Sequence, residues 1–256
     1  MTIRRAPVQL LLNGEKGSAA GIVQSYAARI LSEYSRELGG GGIVDVRTRA
    51  WYNPAQNYKH YMVPGILVQL VTLVGTLMTA LNIVREKELG SIVNFYVTPT
   101  TRLEFLLGKQ FPYVVLSMLS FLLLTLLAVT VFGVPMKGSF LALSVAALLY
   151  VISATAMGLL FSTFVRSQIA AIFGTAILTL LPAVQFCGMT SPVSALEGLG
   201  RLIGNVYPTT YFLTIARGTF SKALGFADLQ ASFLPLILAV PLLTGLCVLL
   251  LRKQER

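Results

Sequence analysis

Val84-Arg85-Glu86-Lys87-Glu88-Leu89-Gly90, continuing to Thr98-Pro99-Thr100-Thr101-Arg102 and Leu107-Gly108-Lys109, is the charged stretch on which the reading of this chain turns. Long apolar runs lie on both sides of it. Working outward, five runs are long enough to cross a bilayer: residues 62–84, 110–134, 140–165, 169–189 and 231–251. A helical crossing takes about 20 apolar residues. The 256-residue chain is 55% hydrophobic and 12% charged, about half the charged share of an ordinary soluble domain. The net charge of +10 would suggest nucleic acid in a soluble protein. Here the basic residues sit at the ends of apolar runs, where orientation signals belong, so no nucleic-acid partner is expected. The expected fold is an all-α membrane protein: five transmembrane helices in a domain over 62–256, plus a small N-terminal extracytoplasmic α/β segment over 1–61.

The N-terminal segment is polar and contains no span. Val8-Gln9-Leu10-Leu11-Leu12 reads as a short strand ended by the turn Asn13-Gly14. A helix starting near Ser18 puts Ile22, Tyr26, Ile30 and Leu31 on one face and stops before the glycine run 39–42. Ile43-Val44-Asp45-Val46-Arg47 alternates as a second strand, and Trp51-Tyr52-Asn53-Pro54 makes an aromatic turn suited to a membrane interface. Short loops set orientation through Lys and Arg. Arg85, Lys87, Arg102 and Lys109, then Arg166, then Arg252, Lys253 and Arg256 all fall on one side. That side is expected to be cytoplasmic, with the C-terminus there and residues 1–61 outside.

The ordered pattern Arg85-Glu86-Lys87-Glu88-Leu89-Gly90, then Pro99-x-x-Arg102, then Leu106-Leu107-Gly108-Lys109 resembles the first cytoplasmic loop of ABC-2 type transporter permeases. Phe186-Cys187-Gly188, Tyr207-Pro208-Thr209-Thr210-Tyr211 and Arg217-Gly218 resemble the extracytoplasmic stretch before the last helix of that family. The resemblance covers nearly the whole chain. It implies a permease of an ABC exporter in a bacterial inner membrane. Members commonly open with a transmembrane helix and an extracytoplasmic domain, so this sequence is expected to start inside that domain, without the first helix. The implied partners are an ABC ATPase subunit, a second permease (identical or homologous), membrane lipids and a periplasmic adaptor protein. ATP would be used by the ATPase, and the chain itself would bind no cofactor.

Three constellations are candidates for function. In the loop 85–109, a plain orientation signal would not need Glu86, Glu88 and Glu104, nor the apolar Ile92, Val93, Phe95, Tyr96 and Val97 between the charges. Gly90 can end one helix and Pro99 another. The resemblance assigns ATPase coupling to Arg85, Glu86, Glu88, Gly90, Phe95, Pro99 and Arg102; the bland alternative is a solvated connector. In the spans, Gln69, Thr72, Thr76 and Thr79 share one stripe, and Thr175 and Thr179 another. Such residues serve helix packing, and the functional alternative is a weakly polar substrate cavity. In the loop after the fourth span, Pro208, Tyr211 and Arg217 are extracytoplasmic gate candidates, weighed against a lid that touches no substrate. Leu199, Leu202, Ile203 and Val206 keep a helical apolar face there, which suggests short interfacial or re-entrant helices.

Other chemistries have little to build on. The spans carry no Asp, Glu, Lys, Arg or His between their ends, whereas proton-coupled carriers and intramembrane proteases depend on such groups. The chain has one histidine, His60, so neither a catalytic triad nor a zinc helix can be assembled with assurance. Cys187 and Cys247 are far apart in apolar sequence and read as small buried side chains. Leu107-Gly108-Lys109-Gln110 lacks the first glycine and the hydroxyl residue of a phosphate-binding loop. The function expected is export of an amphipathic or apolar substrate. The rivals are a membrane-embedded enzyme and a degenerate permease that only scaffolds a complex.

Overall fold

The computed structural model describes residues 17–37, 58–90, 101–190 and 192–250. Among them the elements are α1 (Gly17–Glu37), α2 (Tyr58–Glu88), α3 (Arg102–Thr130), α4 (Phe140–Phe164), α5 (Gln168–Gln185), a 3₁₀ turn (Val193–Ala195), α6 (Gly198–Val206), α7 (Pro208–Ser221) and α8 (Gln230–Leu250). No strand occurs among the described residues. Helices α2, α3, α4, α5 and α8 are long and apolar enough to cross a membrane.

The chain divides into Met1–Ala50 and Trp51–Arg256. In the first unit the described element is α1, which agrees with the helix expected near Ser18. The α/β character expected for 1–61 is not supported. The strands expected at 8–12 and 43–47 lie outside the described residues. On α1, Tyr26, Ile30 and Tyr34 are each at least 60% exposed.

In the second unit, α2 is the central element, packed on α3, α4, α5 and α7, while α4 also packs on α7 and α8. Its 31 residues rise about 46 Å at 1.5 Å per residue, well beyond a hydrocarbon core of about 30 Å. The apolar run therefore ends near Val84 while the helix continues through Arg85–Glu88. Likewise α3 begins at Arg102, ahead of its apolar stretch, because Thr101 and Glu104 close a reciprocal capping box. Ser139 and Ser167 cap α4 and α5 by a single bond each, accepting from the Ala142 and Ala170 N–H groups.

Without a hydrophobic drive between helices in lipid, close approach depends on small residues. Ala142, Ala146, Ala147 and Ala154 of α4 are buried. A Cβ on Gly158 would stand 2.3 Å from the Thr76 carbonyl oxygen, so only glycine lets α4 meet α2 there. Ala170 and Gly174 of α5, another pair of small residues four apart, do not pack in this way. Ala170 is exposed, and nothing lies within 4 Å of a Cβ placed on Gly174. Cys187 and Cys247 are both buried and free, as expected.

The segment between α5 and α8 contains the main departure from a simple bundle. Helix α6 exposes Leu199, Leu202 and Val206, as an interfacial helix does. Helix α7 is instead enclosed. Phe212, Ile215 and Phe220 are at most 1% exposed, and Phe212 stacks on Tyr150 of α4 with centroids 4.5 Å apart. Gly204 allows the turn between these two helices to press on the end of α5, since a Cβ there would meet the Phe186 carbonyl at 2.4 Å.

Candidate functional site

The candidate residues fall at the two ends of α2 and along the seam between them. At the Glu88 end, the charged run is the last turn of α2. Glu86 forms an ion pair with Lys109 of α3, and Lys109 also sits 5.8 Å from the Phe105 ring centroid. Lys87 donates to the carbonyl of Ser162 and, at 3.4 Å, to that of Val165, both at the C-terminal end of α4. Glu88 accepts the Gln168 N–H at 2.7 Å and the Gln168 side-chain amide. A carboxylate at the first turn of α5 and an ammonium at the last turn of α4 both complement the helix dipoles.

Arg85 is exposed on the same turn. Gly90 has a φ of +70°, which favours glycine and ends the helix. Arg102 opens α3. Phe95 and Pro99 lie outside the described residues. The structure thus brings Glu86 and Glu88 together with Lys87, Lys109 and Gln168, three residues outside the set to which the resemblance assigns coupling. Nothing in the sequence pairs residue 88 with 168; the readable hint was that the turn 166–168 is short and must return close to a neighbouring helix end.

Along the seam, Thr72, Thr76, Thr79, Thr175 and Thr179 are all at most 1% exposed. Thr76 and Thr79 bond the carbonyls four residues back, Thr72 and Gly75, at 2.7 Å, and Thr179 bonds that of Thr175 at 2.6 Å. This is the usual way a helix satisfies a buried hydroxyl in apolar surroundings. Thr72 does more: it bonds the Val68 carbonyl at 2.7 Å and meets the Tyr150 hydroxyl, which in turn meets Thr209 of α7 at 2.8 Å. Gln69 donates to the Leu180 carbonyl at 3.3 Å. The Thr175 hydroxyl is buried with no hydrogen-bond partner among the described residues. The first stripe therefore meets α4, at Tyr150 and Gly158, while Gln69 reaches α5 at Leu180; Tyr150 is an added member that periodicity did not flag.

At the Tyr61 end, Arg217 of α7 donates to the carbonyls of Gly188 at 2.6 Å and Met189 at 3.1 Å, just past the end of α5. Its guanidinium lies 3.8 Å from the Tyr61 ring centroid, and the Tyr61 hydroxyl also reaches the Met189 carbonyl at 3.4 Å. Burial pulls the Arg217 pKa below its ordinary value, and Tyr61 works against that shift. Pro208 starts α7 at a position where its missing N–H costs nothing. Tyr211 donates to the Asn205 carbonyl and so fixes the turn between α6 and α7. The thiol of Cys187, close to Thr210, is pushed up to about 11 by burial.

A bundle with buried polar stripes, a capped and charged end, and an enclosed short helix α7 fits a transport protein. Residues 1–251 match the family described as ABC-2 family transporter protein. The chain belongs to the ABC-2 transporter family. It is 33% identical over 221 residues to the probable multidrug ABC transporter permease YbhS of Escherichia coli strain K12, covering 84% of this chain and 59% of that protein. Against the probable multidrug ABC transporter permease YbhR of the same strain it is 26% identical over 240 residues, covering 92% and 65%. Against the inner membrane transport permease YhhJ it is 27% identical over 233 residues, covering 90% and 58%. The chain thus spans about three fifths of the length of these curated ABC-2 relatives. No solved structure matched it. The family is that of a transporter's membrane component rather than of a catalytic enzyme.

Proposed function

We propose that this chain acts as the permease subunit of an ATP-driven ABC-2 exporter that moves an amphipathic or apolar molecule, drug-like or lipid-like, out of the cytoplasm. The observation that carries the reading is family membership over residues 1–251, joined to a charged bundle end whose connection, 89–101, joins two helices that both outrun the membrane. The names of the relatives, probable multidrug permeases, support the substrate class. ATP is hydrolysed by a separate nucleotide-binding subunit that docks on this connection, with Arg85, Gly90, Phe95, Pro99 and Arg102 at the contact. A second permease completes the transporter, and a periplasmic adaptor receives the substrate. The Glu88 end faces the cytoplasm, as does the C-terminus, and residues 1–61 face outside.

In this reading the route runs beside the seam of Gln69, Thr72, Thr76, Thr79, Thr175 and Thr179, and Pro208, Tyr211 and Arg217 form the outer gate. Within the seam, Thr175 is the position where a ligand could gain a hydrogen bond without displacing one already made. The test is export of a dye panel from cells carrying the full-length protein and its ATPase. Phe95→Asp should abolish ATP-dependent export, and Thr76→Leu should change the substrate profile. Normal export by Phe95→Asp makes the connection a passive linker. A lowered midpoint with an unchanged profile in Thr76→Leu assigns the seam to packing.

A further inference from the structure

Three consecutive side chains at the end of α2 hold three different helices: Glu86 holds α3, Lys87 holds α4 and Glu88 holds α5. Successive residues of a helix point about 100° apart, so three in a row reach around most of its circumference. All three can be engaged only if neighbouring helix ends surround the end of α2. The signs are also specific. Lys87 meets the carbonyl end of α4, and Glu88 meets the N–H end of α5. Exchanging the two would set each charge against a like partial charge. These side chains are also already occupied: the Lys87 ammonium is spent on two carbonyls, and both Glu88 oxygens are held by Gln168.

We propose that Glu86-Lys87-Glu88 is an internal transmission joint, which makes the ends of α3, α4 and α5 follow α2 when force arrives through the connection 89–101, and that Lys87 and Glu88 are positioning residues rather than docking residues. The inference rests on the reading that an ATPase docks on that connection. It separates the residues that receive the force from those that distribute it. A docking residue changes how much ATPase is bound. A joint residue leaves binding alone and changes how much transport each hydrolysed ATP produces.

The experiment uses the full-length permease with its ATPase in proteoliposomes, measuring ATPase bound per permease and substrate moved per ATP. Lys87→Met should lower transport per ATP at least tenfold with ATPase binding unchanged. Glu88→Gln, which can still accept the Gln168 N–H, should lower it less. An unchanged ratio in Lys87→Met overturns the joint, and so does loss of ATPase binding. Phe95→Asp reports separately on docking: if it leaves the ATPase bound, the docking reading fails while the joint is still judged by its own arm. That arm replaces the polar tie by a covalent one, Glu88→Cys with Gln168→Cys. Transport should be weak under dithiothreitol and should recover when an added disulfide reagent closes the pair. Equal transport in both states overturns the proposal, whether the level is high or low.

Discussion

The two ends of α2 meet the same problem by opposite means. At each end, carbonyls at the end of a neighbouring helix need donors that the helix cannot supply. At the Tyr61 end one guanidinium does this, wedged between the Gly188 and Met189 carbonyls and an aromatic ring. At the Glu88 end Lys87 supplies the donors, to the Ser162 and Val165 carbonyls, while Glu88 accepts from the N–H end of α5 and Glu86 pairs with Lys109. Arg217 draws on burial and shape, which salt does not screen. Glu88 is exposed, so its interaction is open to water and ions. The first arrangement suits a fixed closure, and the second suits an end that must yield to a partner.

The comparison breaks most sharply at Arg217. Arg217→Ala takes the donor from the Gly188 carbonyl and leaves that of Met189 only the Tyr61 hydroxyl, which should cost about 2–4 kcal/mol, read as a fall in the thermal midpoint in detergent. That fall should be the same at low and high salt. Next in size is Gly158→Ala, on α4 where it crosses the middle of α2, which forces α4 away from the Thr76 carbonyl and should cost about 1–3 kcal/mol. Lys87→Met should cost about 1 kcal/mol, since a partly exposed cation at a helix C-terminus is partly screened. Its effect should shrink as salt rises, unlike that of Arg217. If Arg217→Ala and Lys87→Met share one salt dependence, the contrast between the ends is lost. The smallest effect concerns Cys187, whose thiol titrates only near pH 11 because burial disfavours the thiolate. Alkylation of the folded protein should therefore stay slow from pH 7 to 9 and become fast only on unfolding. Fast alkylation at pH 8 would show that the outer end opens.

Much of this architecture could be read from hydropathy, but only where the membrane itself sets the limits. The expected span 140–165 agrees with α4 (Phe140–Phe164) because Ser139 caps its start and Arg166 follows its end. The expected span of α2 fell short at both ends and that of α3 at its start, while the expected end at 134 ran past Thr130; hydropathy measures the thickness of the hydrocarbon, whereas Arg85–Glu88 and Arg102–Lys109 are helical residues that continue into water. The threonine stripes were legible from spacing. Their hydrogen bonds to carbonyls of their own helix follow from local chemistry. The clasp at residues 86–88 was not legible, because it depends on which helix ends come together. The enclosure of α7 was hidden for the same reason: its partners, Tyr150 and Phe121, are distant in sequence.

The central claim is that the partner ATPase meets the connection beyond Glu88 and not the opposite end. It is tested most directly by placing a photoactivatable phenylalanine analogue at Phe95 or at Tyr211 of the full-length protein in membranes that contain the ATPase. The account predicts an ATPase adduct from position 95 and none from position 211. An ATPase adduct from position 211, or none from 95 while the complex remains assembled, would contradict it.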